Sequence, residues 1–411
     1  MKTIEVNGRS YNWPAQPLVV ICCDGSEPDY MERAMADGLM PNLQRIIAKG
    51  ENLRGLSAMP SFTNPNNMSI ATGRTPDVHG ICGNYLIDPT TGLETMMNDP
   101  KWLTAPTIFA AFQNADAKVC VVTAKDKLRL LLGHGLKFDG TAICFSSEKA
   151  DRATMEDNGI ADVLSFVGKP LPEVYSADLS EFVFAAGMKL LKRDKPDLMY
   201  LSTTDYVQHK FAPGSNGAHS FYQMMDGYLG ALDAAGCTII IVADHGMKDK
   251  HKADGTPDVL YLQDALDAKF GVDTTRVILP ITDPYVVHHG ALGSFAQVYL
   301  YGAPKSEVAA YVSAQDGIDV VLSKAEGAKL YGLPPERCGD LIVISGGPQH
   351  SKVLGTSASK HDLSGLDAPL RSHGGLSEQT IPFIGNRKLK NLPQPLHNWD
   401  AFFVGCNCVE R

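Results

Sequence analysis

Six short apolar runs recur along this 411-residue chain, and reactive residue types gather where they end. The runs are LVVICCDG (18–25), KVCVVTAK (118–125), DLMYLSTTD (197–205), CTIIIVADHG (237–246), DLIVISGG (340–347) and TIPFIGN (380–386). Between them lie amphipathic, helix-length segments such as MPNLQRIIAKG (40–50), TIFAAFQNADA (107–117) and LSEFVFAAGMKLLKRD (179–194). Alternating strands and helices predict an α/β fold. Near-continuous apolar strands predict a mostly parallel central sheet covered by helices on both faces. Open sheets of this kind hold their ligands at the carboxyl edge of the strands. Asp24, Lys125, Asp205 and the pair Asp244–His245 follow four of the runs. A single acidic residue there reads equally well as a helix N-cap, but four such ends predict a site.

The series breaks between about 250 and 339. RVILPI (276–281), FAQVYLYG (295–302), the helical SEVAAYVSAQDG and DVVLS (319–323) read as a small α+β insert. We expect a cap domain at 251–339 inserted in a catalytic core of 1–250 and 340–411, with the chain rejoining the main sheet at DLIVIS.

Composition narrows the function. The formal charge of −9 argues against a broad nucleic-acid surface, so an anionic substrate needs a local positive site. No run reaches the roughly eighteen apolar residues of a membrane span. MKTIEVNGRSYNWPAQP lacks the pattern of an export signal, and nine cysteines, an odd number, suggest reduced thiols. Both point to a cytoplasmic protein. Cys406 and Cys408 resemble half a zinc site without its second pair.

Asp205 and His209 are four residues apart, on one face of a helical turn. Asp244 and His245 are adjacent at a strand end, so their side chains diverge to serve one metal or two; His373 stands among glycines. With Asp24 these form a carboxylate–imidazole set that suits zinc and can also hold manganese or iron. Each residue taken alone reads as a surface pair or a turn. The remaining histidines, 79, 134, 219, 251, 288, 289, 350, 361 and 397, are expected at the surface or satisfied in the core. In SFTNPNNMSIATG, Thr63 is a candidate nucleophile needing activation by a base or metal; Thr63 or Ser61 could equally be the helix cap. Backbone N–H groups at this helix start could also hold an anion.

The motifs CCDG, SFTNPN with SIATGRTPDVHGICGN, TTDYVQH, VADHGM and SHGG, in that order, resemble the alkaline phosphatase superfamily, nearest its nucleotide pyrophosphatase/phosphodiesterase branch. That resemblance implies an alkaline-phosphatase-like core and two zinc ions per subunit. One would be bound by Asp24, Thr63, Asp244 and His245, the other by Asp205, His209 and His373. It makes Thr63 the nucleophile, puts Asn84 on a phosphoryl oxygen and suggests a homodimer. The lack of a Cys-x-Pro-x-Arg motif argues against sulfate esters. TAKDKLR (123–129) adds a further likeness, to members that cleave carbon–phosphorus bonds. By that likeness Lys125 and Lys127 bind the carboxylate of phosphonoacetate, which is hydrolysed through a phosphothreonine to acetate and phosphate. Read from residue type alone, K-x-K is a solvated surface pair. The alternative activity is that of a two-zinc phosphodiesterase or nucleotide pyrophosphatase, with Tyr85 and Phe62 as candidates to clamp a base.

Overall fold

The structure, a computed structural model, describes residues 2–285, 289–347 and 351–410. In chain order its larger strands are β1 (Leu18–Cys22), β2 (Glu51–Leu56), β3 (Val119–Thr123), β4 (Ala142–Ser146), β5 (Leu198–Ser202), β6 (Thr238–Val242), β7 (Thr275–Ile278), β8 (Phe295–Leu300), β9 (Ile318–Ser323), β10 (Leu341–Ser345) and β11 (Thr380–Gly385). Seven form the central sheet in the order β2-β11-β6-β1-β5-β3-β4. β6, β1, β5, β3 and β4 run parallel; β11 is antiparallel to β6 and β2 is antiparallel to β11. The expected α/β fold with a mostly parallel sheet is present.

Successive residues of these strands bury opposite faces, as a pleated strand requires. Val20, Cys22, Val121, Tyr200, Ile240 and Val242 enter one apolar cluster, and Val19, Ile21, Val122, Leu201, Ile239 and Ile241 enter the other. Each full burial of such a side chain stabilises by about 1.5–3 kcal/mol. The helices Pro41–Lys49, Asp178–Asp194 and Asn216–Ala234 cover the second face. Thr63–Thr72, Ile108–Gln113 and Ala401–Asn407 cover the first.

The first cluster also takes in Val277, Ile281, Phe295 and Val298 from the insert, whose four-stranded sheet runs β7-β8-β10-β9. β10, the DLIVIS run, pairs antiparallel with β8 and β9, contrary to the expectation that it rejoins the central sheet. Its continuous apolar pattern records burial on two faces, which this smaller sheet also provides. The chain returns to the central sheet at β11. Among the described residues no helix is long and apolar enough to cross a membrane.

Candidate metal centre

The register of the parallel strands levels their ends. Val242 pairs with Cys22, Cys22 with Ser202, and Ser202 with Thr123. The residues that follow, Asp244 and His245, Asp24, Asp205, and Lys125, therefore lie side by side along one edge, all buried. Asp205 leads into the short helix Tyr206–Lys210, and His209 Nε2 sits 3.0 Å from Asp205 Oδ2. His373, from the loop before β11, has its Nε2 3.8 Å from the same Asp205 oxygen. Its ring stacks on His245 at 3.6 Å. His245 Nε2 lies 3.3 Å from Asp24 Oδ1 and 3.8 Å from Asp244 Oδ2.

Two groups of ligand atoms each gather within 4.8 Å: Asp24, Asp244 and His245, and Asp205, His245 and His373. His245 thus stands between the two sets read from the sequence. Each imidazole has its Nδ1 against a backbone carbonyl: His209 on Arg371 (2.8 Å), His245 on Gly246 (2.9 Å) and His373 on Ser61 (2.8 Å). A carbonyl only accepts, so the proton belongs on Nδ1 and the Nε2 lone pair faces the carboxylates. Metal-binding histidines are oriented in this way.

The electrostatics agree. Burial, then the neighbouring Asp205 and Asp244, push the Asp24 carboxyl well above its ordinary range. Burial likewise lifts Asp244 to about 7, with Asp205 adding to the rise. Burial and the adjoining His245 and His209 hold His373 well below the usual imidazole value, and burial lowers His209. Three carboxylates crowd a buried site beside His209 and His373, whose imidazoles burial keeps neutral, and Asp24 Oδ1 has no hydrogen-bond donor. An oxygen–nitrogen donor set short of positive charge fits divalent cations.

Thr63 opens the helix Thr63–Thr72, its Oγ1 3.4 Å from His245 Nε2. Neither Thr63 nor Ser61 caps that helix. The cap position is Phe62, which makes no side-chain bond, and Ser61 Oγ donates to the Gly375 carbonyl at 2.8 Å. The Asn64 N–H, one of those expected to face an anion, instead donates to Asn84 Oδ1 at 3.1 Å, orienting the Asn84 amide beside Thr63. Phe62 is fully buried, edge-on to His373, which removes it as a base clamp; Tyr85 turns its hydroxyl to Glu94.

Asn67, one helical turn past Thr63, was not singled out from the sequence. Its Nδ2 donates to Asp244 Oδ2 (3.1 Å) and the Thr63 carbonyl (3.0 Å), while its Oδ1 accepts from Tyr200 and Ser202. Gly25 N and His245 N donate to the other Asp244 oxygen. The available signal was a helix, TNPNNMSIAT, too polar to be buried unless its amides had fixed partners.

Lys125 and Lys127 are buried, not a solvated pair. Lys125 Nζ donates to Asp205 Oδ1 at 3.2 Å. Burial alone would lower its pKa, but Asp205, Asp283 and Asp24 outweigh this and hold it above the ordinary lysine value. Lys127 pairs with Asp283 of the insert, and Tyr285 lies over both ammonium groups. His289, expected to be satisfied or at the surface, is buried with its ring 5.4 Å from His209 and its Nε2 3.4 Å from Asp283 Oδ1. His79 is a satisfied core histidine bonded to Ser69, whereas His288 and His350 lie outside the described residues. Cys406 and Cys408 are buried as free thiols, and neither belongs to the ligand groups found among the described residues. A cavity of about 160 Å³ lined by Tyr175, Tyr206, Leu366 and Pro369 reaches His209 from outside.

The sequence profile of the Type I phosphodiesterase / nucleotide pyrophosphatase family matches residues 18–352. The crystal structure of phosphonoacetate hydrolase from Sinorhizobium meliloti 1021 in complex with phosphonoacetate is similar with a TM-score of 0.95. It is 59% identical, over 98% of each chain. Murine ectonucleotide pyrophosphatase / phosphodiesterase 5 shares the fold, with a TM-score of 0.65 at 17% identity over 95% of this chain and 94% of that one. Venom phosphodiesterase of Macrovipera lebetinus is 25% identical over 248 residues, 56% of this chain. The chain spans about a quarter of the length of that curated relative (26%). The chain belongs to the type I phosphodiesterase / nucleotide pyrophosphatase family of the alkaline phosphatase superfamily, whose members depend on metals, and within it groups with phosphonoacetate hydrolase.

Proposed function

We propose that this protein hydrolyses the carbon–phosphorus bond of phosphonoacetate, giving acetate and phosphate. The observation that carries the reading is the meeting of two lysine ammonium groups with the carboxylate–imidazole cluster, through the 3.2 Å contact of Lys125 with Asp205. The likeness at 59% identity to a phosphonoacetate hydrolase supports it.

In this reading Asp24, Thr63, Asp244 and His245 hold one zinc ion and Asp205, His209 and His373 the other. Bound there, the two cations would acidify the Thr63 hydroxyl and a water and draw charge from the phosphoryl oxygens. Thr63 Oγ bonds to phosphorus as the carbon–phosphorus bond breaks. The electron pair of that bond passes to the methylene carbon and spreads into the adjacent carboxylate as an enediolate. Lys125 and Lys127 meet that carboxylate, so they act where charge develops in the transition state. The Asn84 amide, oriented by Asn64, donates to a phosphoryl oxygen. The proton that the Thr63 hydroxyl gives up is balanced by one that solvent delivers to the methylene carbon, releasing acetate. Water then adds to phosphorus as Thr63 Oγ leaves and recovers a proton, releasing phosphate.

The test is a substrate panel with zinc present: phosphonoacetate, other phosphonates, and phosphate mono- and diesters, with acetate and phosphate both measured. Rapid quench with labelled phosphonate should trap phosphate on Thr63; label on Ser61, or no labelled protein, would exclude the covalent route. The family profile and the venom relatives favour a second reading, a phosphodiesterase or nucleotide pyrophosphatase on the same centre. Nucleotide turnover exceeding that of phosphonoacetate would select it.

The insert at 251–339, with β7, β8, β9 and the helices Leu262–Phe270, Lys305–Ser313 and Lys324–Tyr331, serves as the cap in this reading, and β10 completes its sheet. The nine buried free thiols support a cytoplasmic setting. The homodimer rests on the family resemblance, and sedimentation measures it.

A further inference from the structure

Two residues of the insert, Asp283 and Tyr285, close a ring with the lysine pair and Glu148 of the core. Asp283 and Tyr285 follow β7 of the insert, whereas Lys125 and Lys127 follow β3 of the core. Lys127 Nζ pairs with Asp283 Oδ2, the two side chains only 3% and 6% exposed. The other Asp283 oxygen accepts the Tyr285 N–H at 2.7 Å and lies 3.4 Å from His289 Nε2. The Tyr285 ring then covers both ammonium groups, its centroid 4.7 Å from Lys125 Nζ and 5.5 Å from Lys127 Nζ. Its hydroxyl donates to Glu148 Oε2, which also accepts the N–H of Asp126, the residue between the two lysines, at 2.8 Å. The insert is thus fastened to the Lys125–Lys127 segment through a carboxylate, an aromatic face and a shared acceptor.

Two buried ammonium groups repel each other and are costly to desolvate, so a convergent pair needs countercharge. The face of an aromatic ring and a single carboxylate supply part of it without exhausting the donors. Lys127 has three N–H bonds and spends one on Asp283. We propose that Asp283 and Tyr285 are positioning residues that hold Lys125 and Lys127 as a fixed dication, and so set the preference for a substrate bearing a carboxylate beside its phosphoryl group. This rests on the proposed carbon–phosphorus hydrolysis and deepens it: the insert and the core lysines together, and not the metal site, choose the leaving group.

The experiment compares Asp283→Asn, Tyr285→Leu and Tyr285→Phe with the parent in the zinc-loaded enzyme. For each, kcat/KM is measured on phosphonoacetate and on an aryl phosphate ester, which has no carboxylate, alongside thermal melting. Asp283→Asn and Tyr285→Leu should each lower the phosphonoacetate-to-ester ratio by at least about ten-fold, the size of one lost charge-assisted contact. Tyr285→Phe keeps the ring and should hold the ratio within about three-fold. Equal losses on both substrates would mean a merely structural clamp and would overturn the inference, as would no change in the ratio. Should Asp283→Asn fail to fold, the Leu and Phe variants of Tyr285 decide. A parent that cleaves the ester but never phosphonoacetate would instead overturn the functional reading, and this inference with it.

Discussion

Asp24, Asp205 and Asp244 crowd three buried carboxylates among the imidazoles of His209, His245 and His373, whereas beside them Lys127 and Asp283 meet as a matched pair. Both regions bury charge at the same sheet edge, yet the protein treats them oppositely. Burial and like charge push the Asp24 and Asp244 carboxyls upward. Burial would raise Asp283 too, but Lys127, His289 and Lys125 overcome it and hold that carboxyl well below the ordinary range. The first region is short of positive charge until a cation arrives; the second is neutralised by the chain itself. In the proposed reading, general phosphoryl chemistry belongs to a cluster built from the core alone, and selection of substrate to a pocket shared with the insert.

The sharpest way to break this division is to remove a ligand from the first region. Asp244→Ala should lose metal, measured by elemental analysis, and should depress phosphonoacetate and aryl phosphate turnover alike by about a thousand-fold or more, as expected when several kcal/mol of metal-derived stabilisation is lost. Retained metal with selective loss of one substrate would collapse the distinction. Lys125→Ala or Lys127→Ala should instead separate the substrates. Phosphonoacetate turnover should fall roughly 10- to 150-fold further than that of the ester, corresponding to about 1.5–3 kcal/mol for one charge-assisted contact. Asn67→Ala sharpens the picture by removing the amide that holds Asp244 Oδ2 and the Thr63 carbonyl without touching either lysine. Metal affinity, read by competition with a chelator, should weaken by about 10- to 100-fold, and the substrate ratio should stay put.

The smallest effect is a pair of pH dependences with opposite sign. In chelator-treated protein, folded Asp244 titrates near 7 and its unfolded counterpart near 3.9. Asp244 then binds more protons in the folded state across that interval, so its contribution to stability, read as the melting difference between parent and Asp244→Ala, should fall as pH rises from about 4 to about 7. Added zinc should cancel the decline. Asp283 has the reverse sign, because its folded value lies below the unfolded one. Its contribution is complete above about pH 4 and is lost as pH falls further. The melting difference between parent and Asp283→Asn should therefore shrink on acidification below that point.

The same contrast explains what could be read from the sequence. β1, β3, β5 and β6 were legible because strands buried on both faces become unbroken apolar runs, and the residues ending them fell where parallel strands must leave them. β2, whose burial alternates along ENLRGL, escaped notice. β10 was legible as a strand but not by its sheet, since an apolar run states that it is buried and not against what. Asp24, Asp205, Asp244 and their histidines stood out by residue type and short spacing. Asp283 and Tyr285 did not. Their role comes from contact with residues more than 150 positions away, and an aspartate and a tyrosine in a loop carry no local mark of it. Asn67 lay between: its helix was visible, its grip on Asp244 was not.

The ring linking Asp126, Glu148, Asp283 and Tyr285 also bears on grafting between relatives. Because both lysines ride on the core while the carboxylate of Lys127 and the aromatic ring over the pair ride on the insert, in the proposed reading neither segment carries the selectivity by itself. An exchange of the insert alone would deliver a foreign face to Lys125 and Lys127, and an exchange of TAKDKLR alone would strand two ammonium groups without their partners. Leaving-group preference should therefore transplant only when both segments travel together with Glu148.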